Sequence, residues 1–291
     1  MAQSALLKSS IAKKYWMALT GLFLCLFLAG HLAGNLQLIF GDALQFNQYA
    51  LFMTSNPAVK LLSYLTYFSI LFHAVDGIML TIQNKKARPI GYAKSNPSAN
   101  SSAASRNMAV LGTLILVFIV THMVNFWAKM HFDKNMPVYA TTIEAMGQKQ
   151  DLYVTTTGNY FPVAQVGKDQ KDAEANGMQV YIENGREFYN AQAKIKVAEG
   201  YKDLHKITFE FFKSKAKLFG VIPNEGLVFT ILYVLAMGVL AFHLLHGFQS
   251  AFQSLGINNK FTPAIKTFGK LFAIIVPLLF AIIPLYIHFV K

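Results

Sequence analysis

The sequence predicts an all-α membrane protein: a five-transmembrane-helix bundle with a small outward-facing polar insertion domain between helices three and four. Apolar residues make up 54% of the 291 residues and charged residues only 14%, whereas soluble domains average about 25% charged residues. Five apolar segments are long enough to cross about 30 Å of hydrocarbon. The net charge of +12 lies mostly between these segments. This placement favours contact with membrane lipid over nucleic-acid binding.

The five predicted spans are approximately Tyr15–Phe40, Val59–Ile82, Asn107–Met130, Leu227–Phe252 and Ile265–Val290. The first follows lysines as a signal peptide would, but its length and the absence of a small-residue cleavage site predict a retained helix. The last contains Pro277 and Pro284, which kink a membrane helix without abolishing it. Cys25 is the only cysteine. The chain therefore has no disulfide framework, no cysteine-ligated iron–sulfur cluster and no covalent c-type haem of its own.

Basic residues predict the orientation in the cell inner (cytoplasmic) membrane. The loop between spans one and two has Asp42 and no basic residue before Lys60. Basic residues instead collect in the N-terminus and in the loops between spans two and three and spans four and five: Lys8, Lys13, Lys14, Lys85, Lys86, Arg88, Lys94, Arg106, Lys260, Lys266 and Lys270. By the positive-inside rule the N-terminus is cytoplasmic and the C-terminus lies outside.

We predict three regions: residues 1–130 with helices one to three, an outward-facing (periplasmic) insertion at 131–224, and residues 225–291 with helices four and five. The insertion is too long for a simple connection. Alternating runs at Leu152–Thr156 and Gln179–Ile182, with turn signals at Gly158–Asn159 and Asn184–Gly185, indicate a few strands. The pattern over Leu204–Phe219 fits an amphipathic helix, either on the outer membrane face or on an ordinary protein surface.

One histidine lies well inside each of the first four spans: His31, His73, His122 and His243. At 1.5 Å per residue, His31 and His122 lie about 24 Å and 22 Å from the inner end of their spans, whereas His73 and His243 lie about 14 Å from it. The four therefore form an outer and an inner pair, separated by roughly 10 Å along the membrane normal.

Each pair has the chemistry to hold one haem between two helices. Neutral imidazole suits iron, and two axial imidazoles leave no position for oxygen, so such sites transfer electrons. Zinc would need four ligands at one point, which two depths do not supply. Structural histidines or a proton relay remain the alternatives. Small residues suit the close approach of a helix to a macrocycle, and Gly30, Gly34, Gly77 and Gly247 flank the proposed ligands.

The other histidines are weaker candidates. His246 lies one turn after His243 on nearly the same face, so it remains an alternative fourth ligand. His131, His205 and His288 lie at or beyond the membrane edge, where we interpret them as structural.

The segments that carry these histidines resemble a known family. They read FLAGHLAGNLQLIFGDALQFNQYALFM, FHAVDGIMLT, VTHMVNFW and AFHLLHGFQSAFQSLGI. They are similar to the di-haem cytochrome b membrane anchor of succinate:quinone oxidoreductases and quinol:fumarate reductases, of the single-chain, five-helix type. The resemblance covers the N-terminal 130 and the C-terminal 65 residues and leaves out the insertion.

The resemblance implies two haem b groups, a distal one on His31 and His122 and a proximal one on His73 and His243. It also implies a flavoprotein and an iron–sulfur partner on the cytoplasmic side, and a quinone (menaquinone rather than ubiquinone) as electron acceptor near the distal haem. The implied function is the membrane anchor of a respiratory succinate dehydrogenase. Some family members carry a glutamate two residues before the fourth histidine for proton movement. This chain has Ala241 there, which puts that route in doubt.

Other polar groups are secondary candidates. Asp76 is an intramembrane carboxylate three residues after His73, with either a proton-transfer or a helix-packing role. Haem propionates need cationic or hydrogen-bonding partners; the candidates are Lys13, Lys14, Arg88 and Arg106. Polar groups for the quinone region are Asn35, Gln37, Asp42 and Asn47.

Two other functions remain open. The chain is alternatively the di-haem anchor of another respiratory enzyme, such as a hydrogenase or formate dehydrogenase, or a proton-coupled transporter with structural histidines. The sequence does not decide between succinate oxidation and fumarate reduction.

Overall fold

The computed structural model describes residues 10–87, 89–90, 96–145 and 147–291. Within these ranges, five helical segments are long and apolar enough to cross a membrane: Ile11–Phe40, Pro57–Lys86, Met108–Phe132, Glu225–Ser254 and Thr262–Phe289. Each matches one predicted span to within a few residues, and together they indicate a multi-pass membrane protein. Lys8, Arg88 and Lys94, used above to predict orientation, lie outside the described residues, and the orientation stays a prediction.

The described α-helices longer than four residues are α1 Ser10–Asn35, α2 Ala43–Ser55, α3 Pro57–Lys86, α4 Met108–His122, α5 Gln170–Asn176, α6 Leu204–Lys213, α7 Glu225–Ser254 and α8 Thr262–Phe289. A π-helical segment, Met123–Ala128, continues α4. Shorter helical turns occur at Gln37–Phe40, Pro97–Asn100, Ala103–Arg106, Lys129–Phe132 and Val163–Gln165. The strands are β1 Ala140–Ala145, β2 Gln148–Val154, β3 Tyr160–Pro162, β4 Val166–Gly167, β5 Val180–Glu183, β6 Glu187–Asn190 and β7 Lys196–Glu199.

The chain divides into two compact units, which are described separately. The span unit comprises the described parts of residues 1–36, 57–120 and 215–291. The β unit comprises residues 37–56 and the described parts of 121–214. The β unit thus includes residues 131–214 of the predicted insertion together with the segment that connects the first two spans.

The span unit has a small core where α1, α7 and α8 pack together. Its buried residues are Cys25, Leu244, Phe248 and Ala273. Phe248 packs directly on Gly269, where an added Cβ would lie 2.5 Å from the ring carbon Cδ1. Helix α8 runs unbroken through Pro277 and Pro284, as expected for prolines in a membrane helix.

The β unit corrects the all-α fold class, because it contains two sheets. In one, β1, β2 and β3 are antiparallel neighbours; in the other, β4 lies parallel to β5, and β5, β6 and β7 are antiparallel. Val138, Val166 and Phe188 form its buried core. Apolar spans dominate the composition and determined the predicted class, whereas the strands are short and their alternating pattern is weak.

The strands and turns of the insertion follow its local chemistry. β2 and β5 overlap the two alternating runs that predicted strands. The predicted turns contain Gly158 with φ +82° and the pair Asn184 and Gly185 with φ +52° and +69°. Glycine and asparagine adopt such left-handed conformations most readily, so these positions end one strand and begin the next.

Helix α6 is shorter than predicted, ending at Lys213 rather than Phe219. Its buried face carries Thr208 and Phe212 and packs against α2, and the ring of Phe211 lies 5.2 Å from that of Phe126 in the π-helical segment. The amphipathic pattern therefore reflects packing on protein, the ordinary-surface alternative.

Candidate haem centre

Two of the four predicted ligands meet in the span unit. His73 on α3 and His243 on α7 have ring centroids 6.2 Å apart, with the ring planes at 68°. Metal–imidazole nitrogen bonds are about 2 Å long. Because the nitrogen lies roughly 1 Å from its ring centroid, two imidazoles on opposite sides of one metal have centroids about 6 Å apart. The observed separation fits a pair of axial ligands.

The ring of His73 is oriented by α1. Its Nδ1 lies 3.2 Å from the backbone oxygen of Met17 and 3.4 Å from the hydroxyl of Thr20. Metal-ligating histidines commonly donate their second ring N–H to a carbonyl, which fixes the tautomer and the ring position. With Nδ1 donating to Met17, the Nε2 atom of His73 is the nitrogen available as a ligand.

His243 differs from His73 in the environment of its Nδ1 atom. Its Nδ1 is buried and, among the described residues, has no hydrogen-bond partner. Leaving a buried polar nitrogen unsatisfied costs about 1–3 kcal/mol. An imidazole nitrogen in this environment fits a neutral metal ligand, which bonds through its lone pair and needs no protein donor there.

Three glycines surround the two rings. A Cβ on Gly21 of α1 would lie 3.1 Å from Cε1 of His73, and one on Gly112 of α4 would lie 3.8 Å from Cε1 of His243. Gly247 faces His243 from the same helix, with 4.0 Å to Cδ2. The absence of side chains here lets the helix backbones approach the imidazoles closely. The two imidazoles and the three glycines around them therefore fit a haem held by two histidines.

Of these three glycines, the sequence predicted only Gly247. Of the glycines that this prediction named, Gly247 lies beside the His243 ring, a Cβ on Gly30 would meet nothing within 4 Å, and one on Gly77 would meet Met17 at 3.9 Å. It missed Gly21 and Gly112 because it considered only neighbours on the same helix. A signal existed: each lies ten residues before an outer histidine, and is therefore about 15 Å deeper, near the level of the inner pair.

His246, the alternative fourth ligand, lies in a different environment. It is half-buried and lines a cavity of about 470 Å³ together with Ser102, Gln249 and Gln253, with Phe242 and Leu245 as apolar walls. His73, the proposed partner ligand, does not line this cavity. The geometry therefore favours His243 over His246 as the partner of His73.

The two outer histidines belong to different units and are described one at a time. In the span unit, the ring of His31 stacks on Phe27 at 5.2 Å and lies 5.7 Å from Phe280. The amide nitrogen of Asn35 donates to the backbone oxygen of His31 and lies 3.4 Å from both ring nitrogens.

In the β unit, His122 ends α4 directly before the π-helical segment, and its ring lies 5.4 Å from Phe126. Single-turn π-helical stretches occur frequently at functional sites. The predicted pairing of His31 with His122 stays a prediction.

Asp76 lies near the inner pair. Its carboxylate is half-buried and interacts electrostatically with Lys13 and His73. Lys13, which lies near the start of α1, was also a candidate for the haem propionates. The Arg106 guanidinium donates to the backbone oxygen of Ser101, and Arg88 lies outside the described residues.

The polar groups assigned to the quinone region have structural partners. Asp42 caps α2 by accepting from the backbone N–H of Gln45. Asn47 is buried within the β unit, where its amide donates to Asp203 at 2.8 Å and its oxygen accepts from the backbone N–H of His205 at 3.0 Å. These contacts position the connecting segment in its own unit, and they account for both residues without a ligand.

No group of three or more His, Cys, Asp or Glu side chains that could hold a metal ion occurs within the described ranges. A haem with two axial histidines requires only a pair of ligands from the protein. Comparison of the chain with protein-family models, curated proteins and solved structures finds no match.

Proposed function

We propose that the chain is the cytochrome b membrane anchor of a succinate:quinone oxidoreductase, relaying electrons from an iron–sulfur subunit through two haem b groups to a membrane quinone, menaquinone rather than ubiquinone. The observation that carries this proposal is the pair of imidazoles from His73 and His243, 6.2 Å apart between two apolar helices. The family resemblance of the histidine segments supplies the partners and the substrate.

Haem b held by two imidazoles supplies one-electron transfer, because no coordination position is left for a substrate. The residues of the protein would hold the haem and orient its two histidine ligands. Met17 and Thr20 fix the His73 ring, and Gly21, Gly112 and Gly247 allow the helix backbones to lie against both ligands.

The remaining parts of the proposal follow from the resemblance and the charge pattern. His31 and His122 hold the distal haem, and the N-terminus faces the cytoplasm, where the flavoprotein and iron–sulfur subunits bind. The C-terminus and residues 131–224 lie outside the cell inner membrane. Menaquinone chemistry near the outer face would couple electron flow to the membrane potential, about 2.3 kcal/mol per charge per 100 mV.

A redox difference spectrum of the purified chain, expressed with haem available, tests the proposal. We expect a b-type spectrum with two components that titrate at separate potentials. A colourless protein would contradict the haem assignment and favour the transporter alternative.

Reduction of the haem in native membranes identifies the partner enzyme. Succinate should reduce both components through the cytoplasmic subunits. Reduction by hydrogen or formate, with no effect of succinate, would instead assign the chain to another respiratory enzyme.

A further inference from the structure

An apolar hairpin tip lies directly before the fourth span, in the span unit. Leu218 and Ile222 pair with each other through two backbone hydrogen bonds of 2.8 and 3.1 Å, and the chain reverses between them. At the tip, the side chain of Phe219 is 88% exposed, that of Val221 is 77% exposed, and that of Ile222 is 47% exposed. Adjacent large apolar side chains with this exposure mark an interaction surface.

Phe219, at the tip of the turn, has a left-handed backbone conformation that phenylalanine rarely adopts. Phe219 has φ +52° and Gly220 has φ +73°, the left-handed pair that a type I′ hairpin turn requires. Glycine or asparagine suits the first position, and a bulky residue there is an outlier. Such outliers concentrate where the strained residue has a function. Glycine or asparagine could form the same turn, so what phenylalanine adds at this position is its exposed phenyl ring.

The hairpin is fixed to the beginning of α7. The backbone N–H of Glu225, the first residue of α7, donates to the oxygen of Ala216 at 2.9 Å. Asn224 caps the same helix by accepting from the backbone N–H of Leu227. The tip lies only two residues beyond the Leu218–Ile222 pair, a reach of about 7 Å. The headgroup layer on each side of a bilayer is about 5–8 Å thick, so the tip lies within the reach of that layer.

Two exposed lysines, Lys215 and Lys217, precede the tip. Lysines beside a membrane surface attract anionic lipid headgroups, and their aliphatic stems lie along apolar surface while the charge stays in water. Aromatic and aliphatic side chains next to lysines are the composition of segments that bind in the plane of the membrane interface.

We propose that residues 215–222 form a membrane-interface anchor: Phe219 and Val221 enter the headgroup region of the leaflet in which the fourth span begins, and Lys215 and Lys217 bind anionic lipid there. The occupant is the bilayer surface, because the hairpin is tied to the end of a span and combines an apolar tip with positive charge. This inference is independent of the haem and of the proposed redox function.

The test uses the full-length chain in lipid nanodiscs of phosphatidylcholine, with or without phosphatidylglycerol. A nitroxide spin label is attached to Val221→Cys in a Cys25→Ala background, and its accessibility to oxygen, which concentrates in lipid, is compared with its accessibility to a water-soluble nickel complex. Leu232→Cys, half-exposed on the apolar surface of α7, provides the lipid reference.

We expect the label at residue 221 to be more accessible to oxygen than to the nickel complex, as the label in the Leu232→Cys reference should be. Phosphatidylglycerol should increase this preference, and the pair Lys215→Gln and Lys217→Gln should remove the increase. Phe219→Asn keeps the left-handed turn but removes the ring, so it should return the label to the aqueous value, whereas Phe219→Tyr should not.

Two results would overturn the proposal. Full nickel accessibility with Phe219 present would place the tip in water. Low accessibility to both reagents would mean that protein, either a partner or a second copy of the chain, covers the tip. Circular dichroism and the elution volume of each variant establish that it is folded, so that the accessibility values can be compared.

Discussion

The inner and outer histidines differ in what holds their rings. His73 is positioned by groups from another helix, the Met17 carbonyl, the Thr20 hydroxyl and the backbone at Gly21. The ring of His31 stacks on Phe27 of its own helix and lies 5.7 Å from Phe280 of α8, with the Asn35 amide 3.4 Å from both ring nitrogens. The ring of His122 lies 5.4 Å from Phe126 in the π-helical segment.

This difference has a consequence for how each ligand responds to change. A ring wedged between helices is pre-organised, and small changes in a neighbouring helix are transmitted to it because packed interiors do not deform continuously. His122 lies directly before a change of helix geometry, the π-helical segment, so its ring position depends on that segment. We therefore expect the inner haem component to be sensitive to substitutions in the part of α1 that contacts His73, Met17, Thr20 and Gly21.

The largest expected effect is the loss of one haem component. His73→Ala and His243→Ala should each remove the same b-type component, because a single imidazole leaves the haem iron with one axial ligand. The measurement is the reduced-minus-oxidised spectrum with a potentiometric titration. His246→Ala is the matched control on the same helix and should keep both components. Loss of the component with His246→Ala but not with His243→Ala would show that the ligand choice is wrong.

The outer pair should give the complementary result. His31→Ala and His122→Ala should remove the second component and leave the first, which tests the pairing that depth and resemblance predict. The same titration distinguishes the components by their midpoint potentials. If His31→Ala and His122→Ala removed different components, or the component lost with His73→Ala, the two-pair arrangement would be contradicted.

That His73 and His243 lie close together was predictable because helical geometry is regular. Counting 1.5 Å per residue from the span ends placed His73 and His243 at one depth, and the structure brings their rings together. The helix-to-helix contacts were not predictable, since which face of α1 meets α3 depends on packing and not on spacing along one chain. Thr20 and Gly21 were therefore missed.

In the insertion, the turns were predictable from the sequence and the pairing of distant segments was not. Its turns were predictable from Gly158, Asn184 and Gly185, because left-handed backbone conformations require particular residues. The parallel pairing of β4 with β5 was not, since two-residue strands have no periodicity. Nor was the packing of residues 37–56 with 121–214 in one unit. The buried bond from Asn47 to Asp203 joins residues far apart in sequence, and nothing local marks them as partners.

A smaller effect should follow from adding one methyl group beside the inner ligand. Gly21→Ala places a Cβ 3.1 Å from the His73 ring, so the ring must move by a few tenths of an ångström. Gly30→Ala on the same helix meets nothing within 4 Å, and both changes carry the same intrinsic helix preference, about 0.5–1 kcal/mol in favour of alanine.

We expect Gly21→Ala to shift the midpoint potential and the low-spin electron paramagnetic resonance signal of the inner component alone. Gly30→Ala, directly beside His31, should leave the inner component unchanged. Equal effects of the two substitutions on the inner component, or an effect of Gly21→Ala on the outer component, would contradict the close contact between α1 and His73.

The smallest expected effect concerns the hydroxyl of Thr20. It donates to the backbone oxygen of Trp16 at 2.8 Å and lies 3.4 Å from Nδ1 of His73. Thr20→Val keeps the shape and removes this weak acceptor, while the Met17 carbonyl remains at 3.2 Å. Because a hydrogen-bond acceptor raises the electron density of the ligand, its loss should raise the midpoint potential of the inner component slightly. The rise should be less than about 40 mV, the one-electron equivalent of about 1 kcal/mol for a net hydrogen bond.

Thr66→Val is the matched control for the Thr20 substitution. Its hydroxyl is also buried and also donates to its own helix, to the backbone oxygen of Leu62, and Thr66 lies seven residues, about 10 Å, before His73 on α3. It should therefore leave both potentials unchanged. A shift well above this limit for Thr20→Val would mean that the threonine, and not the Met17 carbonyl, is the principal acceptor for His73. A lower potential would contradict the proposed direction of the hydrogen bond.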